Sequence, residues 1–204
     1  VQETRNAPSE DLQFISDGYL TLQTDGDQRR FAVPKFRGSA TKSGEHAYRI
    51  TGEGIEVYPA LSPGDHARSV TAETLSSGIG EVDQLLHGGL ERGSATIISG
   101  PTGVGKTTLG TQFAHEAATR GERSVVYLFE EARNTFVQRS EAIGIPVGDM
   151  VEAGHLQVEE VEGLDISPQE FAATVREDVE EHGAELVMVD GLAGYRITLE
   201  GEDE

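Results

Sequence analysis

The sequence predicts an α/β protein in which a mostly parallel sheet carries a phosphate-binding loop and follows a shorter β-rich segment. Three observations support this. Gly100-Pro101-Thr102-Gly103-Val104-Gly105-Lys106-Thr107 fits G-x-x-x-x-G-K-[ST], the P-loop, at every fixed position. Downstream, the apolar runs Ser124–Phe129 and Leu186–Val189 alternate with helical patterns, as in βαβ units whose strands are buried on both faces. Residues 1–58 instead alternate apolar and polar in short stretches separated by glycine-containing turns.

The first segment reads as two hairpins. Asp17 to Thr24 alternates through Leu20 and Leu22, and Thr24-Asp25-Gly26-Asp27 supplies a turn. Arg30 to Phe36 returns with Phe31 and Val33 on one face, and Pro34 marks an edge or a bulge. Ala47–Ile50 and Ile55–Tyr58 flank Gly52-Glu53-Gly54 as the second hairpin. Residues 59–72 lack periodicity and are rich in Pro, Gly, Ser and Asp, which predicts a linker.

The pattern changes from Thr74. Ile79, Val82, Leu85 and Leu86 share a helical face that Gly88-Gly89 ends. Ala95–Ser99 reads as a buried strand leading into the P-loop, and Thr107–Thr119 as the helix leaving it. After the Ser124–Phe129 strand, a helix is expected over Asn134–Ile143, closed by Gly144 and Pro146. Leu156–Val158 is a short strand. Ser167-Pro168-Gln169-Glu170 is a capping box, with Phe171, Val175 and Val179 as the buried face of its helix. Leu186–Asp190 is a final buried strand ending in an acid.

Composition narrows the function classes. The 204 residues hold 36 acidic and 16 basic side chains, a formal net charge of -20, and 36% are hydrophobic. Such a charge argues against general attraction to nucleic acid or to an anionic membrane. Lysine is confined to Lys35, Lys42 and Lys106, and cysteine is absent. Disulfides, thiolate metal sites and cysteine nucleophiles are therefore excluded. The acidic, lysine-poor surface predicts a halophilic cytoplasm, where salt screens self-repulsion. The six histidines show no ligand spacing and read as structural or solvated. No apolar run approaches a membrane span. The start at Val1 and the acidic end at Glu200–Glu204 read as the limits of a piece of a longer protein.

Three constellations carry chemistry. In the P-loop, the backbone N–H groups of Thr102, Gly103, Val104 and Gly105 can face a phosphate chain. Those of Lys106, Thr107 and Thr108 add the positive end of the following helix. Lys106 can reach the β- and γ-phosphates, and the Thr107 hydroxyl can ligate Mg²⁺. Asp190, after four apolar residues, has the Walker-B pattern and is a second Mg²⁺ candidate. Glu130-Glu131 follows a buried strand, at the sheet edge where open α/β sheets bind ligands. A glutamate there can orient and deprotonate the water attacking the γ-phosphate. Neighbours in an extended segment point oppositely, so the two acids are not equivalent. Glu130 and Glu131 are the candidate bases, and Glu130 is also a candidate to face the metal. The cofactors expected are ATP and Mg²⁺.

On these residues the chain is similar to the KaiC-type ATPases of the RecA superfamily. "TLSSGIGEVDQLLHGGLERGSATIISGPTGVGKTT" (Thr74–Thr108) looks like the entry to a KaiC-type domain. "YLFEEARN" (Tyr127–Asn134) resembles that family's paired catalytic glutamates, and "LVMVDGLAG" (Leu186–Gly194) its Walker B. "ISDGYLTL", "VPKFRGSAT" and "YRITGEGIEVYP" resemble the end of a preceding domain. The resemblance thus implies that residues 1–58 are the β-rich end of one RecA-like domain and 73–204 the front two-thirds of the next.

The resemblance also implies roles. Lys35-Phe36-Arg37-Gly38-Ser39 matches the family's Lys-x-Arg-Gly stretch, which reaches the γ-phosphate of a neighbouring subunit in a hexameric ring as an arginine finger does. Thr41 stands where the family has a histidine, Gly191 where serine is common, and Ile143 where an aromatic lies near the base. The function implied is a regulatory ATPase in a homo-oligomeric ring, with an unidentified regulatory protein partner and possible autokinase activity in the full-length protein. A RecA- or RadA-like recombinase or repair paralogue with DNA-dependent ATPase activity is the main alternative. A non-hydrolysing nucleotide switch is the third.

Overall fold

The computed structural model describes residues 14–25, 28–60, 73–163 and 165–191. They fall into two compact units, one drawing on residues 1–63 with 167–173 and the other on 64–166 with 174–204.

In the first unit the two expected hairpins join into one antiparallel sheet, ordered β1 (Gly18–Asp25), β2 (Gln28–Phe36), β3 (Glu45–Thr51), β4 (Gly54–Tyr58). Gly26 and Asp27 of the first turn lie outside the described residues, but Asp25 pairs with Gln28 across it. Tyr19 pairs with Lys35 and Thr21 with Ala32, so β2 has an extra residue at Val33-Pro34. Pro34 therefore sits in a bulge, where its missing N–H breaks no ladder bond. Ala47 and Tyr48 of β3 are buried, whereas the cross-strand pair Ile50 and Ile55 is 61% and 62% exposed. His46 is structural, as expected: its Nδ1 accepts the Ala60 N–H at 3.1 Å and its Nε2 lies 3.3 Å from the Lys42 carbonyl.

The second unit contains a parallel sheet ordered β8 (Leu156–Glu160), β7 (Arg123–Leu128), β9 (Ala184–Asp190). A two-residue antiparallel pair, β5 (Thr74–Leu75) with β6 (Leu90–Glu91), precedes it. Its helices are α1 (Gly80–Leu85), α2 (Lys106–Thr119), α3 (Arg133–Ala142), α4 (Val147–Glu152) and α5 (Pro168–Glu180), whose first turns cluster with the first unit. The core joins Val126 and Leu128 of β7 with Leu156 and Val158 of β8, Ala114 of α2, Phe136 of α3, and Val147 and Met150 of α4. Full burial of such side chains stabilises by roughly 1.5–3 kcal/mol each.

Five local expectations need correction. Leu186–Asp190 forms the last strand but is half-buried rather than buried, because β9 is an edge strand with β7 on one side only among the described residues. Ala95–Ser99 does not form the expected buried strand: it has no ladder partner among the described residues, and Ile97 is 78% exposed. Apolar, β-branched composition supplies propensity, but a strand also needs a neighbour to bond. α4 was not anticipated, because Pro146 reads as a stop and instead sits at the helix N-cap, burying Val147 and Met150. On α1, Val82 packs against Leu75, Phe113 and Ala117, but Leu85 is exposed. On α5, Phe171 is buried as expected and Ser167 Oγ accepts the Glu170 N–H at 3.2 Å, but the next inward residue is Asp178, not Val179. Asp178 is drawn in by the Tyr127 hydroxyl, which donates to its Oδ2 at 2.5 Å, and by the Arg123 guanidinium 3.6 Å from its Oδ1. Burial, then the Asp178 hydrogen bond, push the Tyr127 hydroxyl well above its usual range, so it stays a neutral donor.

Candidate active site

The site forms where the parallel strands end together. Leu128 pairs with Glu160 on one side and Asp190 on the other, so the strands finish in register. The Phe129 N–H donates to the Asp190 carbonyl at 3.0 Å, extending the β7–β9 ladder by one residue. Glu130 and Glu131 then leave the sheet at this carboxyl edge.

The P-loop approaches the same edge. Gly105, with φ 95°, is the N-cap of α2, so the helix starts at Lys106 directly out of the loop. α2 lies close against β9: a β-carbon at Gly110 would come 2.7 Å from Met188 Sδ. That approach lets the Thr107 hydroxyl donate to Asp190 Oδ2 at 2.8 Å. The Lys106 ammonium folds over the loop and donates to the Gly100 and Pro101 carbonyls, each at 2.9 Å.

Thr102, Gly103, Gly105, Lys106, Thr107 and Thr108 share one open cleft of 960 Å³ with Glu130, Glu131, Arg139, Asp190 and Gly191. Val104 stands apart as an exposed side chain, its Cγ2 beside Gly100. The cleft continues along Ala95–Ile98 and Leu186–Val189.

The two glutamates differ, although residues 129–131 form a bend and not the extended segment expected. Glu130 lies over Gly191, where a β-carbon would meet Glu130 Cγ at 2.8 Å and its backbone nitrogen at 3.2 Å. Gly191 also has φ 90°, so both space and backbone require glycine there. Glu131 turns to Arg139 on α3, which grips both carboxylate oxygens at 2.8 and 2.6 Å. Arg139 was not singled out in the sequence. It lies eight residues beyond Glu131, and the contact depends on how α3 docks: Phe136 is buried in the core and Glu160 Oε1 accepts the Arg133 N–H at 2.7 Å. Ile143 ends α3 and is 54% exposed.

The donor set fits Mg²⁺. Thr107 Oγ1 and the Asp190 carboxylate are hard oxygen ligands already within hydrogen-bond distance of each other. Mg²⁺ is usually held by one or two protein oxygens plus phosphates and water. Among the described residues, no cluster of three or more His, Cys, Asp or Glu forms a separate metal cage.

Lys35, Phe36, Arg37 and Ser39 belong to the first unit, and the P-loop to the second. Lys35 Nζ donates to the Phe14 carbonyl at 3.0 Å, and Arg37 Nη2 to the same oxygen at 3.1 Å. Arg37 Nη1 also meets Asp17 Oδ1 at 3.4 Å. Phe36 is 52% exposed and Ser39 is exposed.

A P-loop whose threonine meets the acid ending a parallel strand, within an α/β sheet, makes this a P-loop NTPase. Comparison with known proteins narrows the class. The family model described as "ATPase: KaiC" matches residues 75–203, and the chain belongs to the KaiC family of ATPases. It is 29% identical over 189 residues to the circadian clock oscillator protein KaiC of Picosynechococcus sp., covering 89% of this chain and 36% of that protein. It is 28% identical to the KaiC of Acaryochloris marina, over 89% of this chain and 35% of the relative. For the KaiC of Parathermosynechococcus lividus the figures are 30% identity, 72% of this chain and 28% of the relative. The chain thus spans about a third of the length of these relatives. Among the described residues, no helix is long and apolar enough to cross a membrane.

Proposed function

We propose that this chain binds and hydrolyses Mg-ATP as a regulatory ATPase of the KaiC type, acting in a cytoplasmic, homo-oligomeric, hexameric ring and reporting to a protein partner. The observation that carries this reading is the 2.8 Å hydrogen bond from Thr107 to Asp190, beside Lys106 and the two glutamates in one cleft.

The residues divide the work. The P-loop N–H groups and Lys106 grip the phosphates, with Lys106 exchanging its two carbonyl partners for phosphate oxygens. Thr107 and Asp190 would hold Mg²⁺, which would offset charge on the phosphates. Glu130 accepts a proton from the attacking water as its oxygen bonds to the γ-phosphorus, and the bond to the β-phosphate oxygen breaks to release ADP and phosphate. Lys35 and Arg37 of a neighbouring copy offset charge on the γ-phosphate, as arginine fingers do. Self-phosphorylation on serine or threonine would use the same phosphate grip with a hydroxyl in place of water.

The test is ATP turnover by the full-length gene product in molar KCl with Mg²⁺, with and without single-stranded DNA. Slow turnover indifferent to DNA, and lost in Glu130→Gln, supports the reading. Absence of turnover, or turnover raised many-fold by DNA, overturns it, the second in favour of a recombinase. Labelled phosphate retained on the chain scores the autokinase reaction in the same assay.

A further inference from the structure

The clamp on Glu131 has no role in the scheme above. Arg139 engages both Glu131 oxygens in a two-pronged, near-parallel pair at 2.8 and 2.6 Å. Such a fork fixes direction as well as distance, which a single ammonium contact does not. Glu131 is the better shielded partner, its side chain 18% exposed against 46% for Arg139. α3 is itself anchored, through Phe136 in the core and the Glu160 cap on Arg133. The guanidinium is therefore presented from a fixed support. Glu130 takes the other direction, across the gap that Gly191 leaves beside Asp190.

We propose that Arg139 is a positioning residue for ATP hydrolysis, holding Glu131 aside so that Glu130 is the carboxylate presented at the end of β9. The proposal rests on the ATPase reading given above. Without the fork, Glu131 can swing into the cleft it shares with the P-loop. A second carboxylate would then compete with Glu130 for the water and repel the phosphates' charge as it builds. Like charges brought together in a partly desolvated site are unfavourable, and a small displacement of a reacting group costs rate steeply. In this role Arg139 acts through Glu131.

The test is steady-state ATP hydrolysis by the full-length protein as wild type, Arg139→Gln, Arg139→Lys, Glu131→Gln and the Arg139→Gln/Glu131→Gln double variant, with Glu130→Gln as reference. Arg139→Gln is expected to lower kcat about tenfold with KM for ATP within about twofold, the pattern of an interaction realised in the transition state. Arg139→Lys, which keeps charge but loses the fork, should fall between. The double variant should match Glu131→Gln alone, because removing Arg139 has nothing left to misplace. Unchanged melting temperatures separate this from misfolding. If Arg139→Gln turns over like wild type, or its defect persists in full on the Glu131→Gln background, the positioning role is wrong while the ATPase reading stands. If wild-type protein hydrolyses no ATP, the ATPase reading itself fails.

Discussion

Thr107 and Asp190 lie 83 positions apart, yet the threonine hydroxyl donates to the aspartate at 2.8 Å. The contact brings the two oxygen groups of the proposed Mg²⁺ site together on rigid supports, the first turn of α2 and the last residue of β9. Asp190→Asn is therefore expected to weaken ATP binding at least about tenfold in Mg²⁺, or about 1.4 kcal/mol. Without Mg²⁺, binding should change little. Paired nucleotide titrations with and without the metal check this. Equal losses in both would show that Asp190 serves the P-loop backbone and not the metal.

Lys106 rests on the Gly100 and Pro101 carbonyls through an exposed ammonium. Lys106→Ala should leave the melting temperature of the nucleotide-free protein within about 2 °C, since exposed polar contacts contribute little. It should abolish the rise produced by ATP, which at a hundredfold excess over Kd is about 2.7 kcal/mol of stabilisation. Thermal melts with and without Mg-ATP measure both.

Tyr127 and Asp178 tie β7 to α5 through a buried 2.5 Å hydrogen bond. Tyr127→Phe removes the donor but leaves Asp178 with Arg123 and His182, at 3.6 and 3.3 Å. A loss of about 1–3 kcal/mol follows from an acceptor left partly unsatisfied. Denaturant titration should show it, with ATP affinity within about twofold of wild type because neither residue lines the cleft.

Asp83 holds the turn before α1. The Ser76 hydroxyl donates to it at 2.6 Å, the Ser77 N–H at 2.8 Å and the Ser77 hydroxyl at 2.7 Å. These bonds, that from Ser76 foremost, lower its carboxyl below the usual 3.8. Folding therefore favours the charged form. This contribution is present above the unfolded carboxyl's pKa and is lost as pH falls through the lower folded value. Asp83→Asn should remove the acid sensitivity of hydrogen exchange at Ser77 and Ile79 below about pH 4. An identical acid response in the variant would assign it to other groups.

Much of this site was legible because its parts are contiguous or marked by strong local patterns. The P-loop is eight adjacent residues, and Asp190 ends an apolar run that β7 covers on one side. The inequality of Glu130 and Glu131 followed from their being neighbours after β7, although they stand in a bend and not in the extended segment expected. What selects between them did not: Arg139 reaches Glu131 only after Phe136 and Glu160 have set the lie of α3. Ala95–Ser99 failed in the opposite sense. Its residues carry strand propensity, but pairing belongs to the neighbour as much as to the segment. Asp178 was passed over for Val179 because an apolar stripe cannot register a carboxylate drawn inward by a tyrosine on another element.

Gly89 sets a limit on how such sequences can drift. With φ 126°, it passes so close to β5 that a β-carbon would lie 2.1 Å from the Leu75 carbonyl oxygen. Backbone cannot retreat as a flexible side chain can, so no neighbouring substitution restores the room. Evolution therefore cannot leave Gly89 by single steps. A descendant with any other residue there must have rebuilt the β5–β6 pair in the same lineage, and its path into the P-loop would have to be traced afresh.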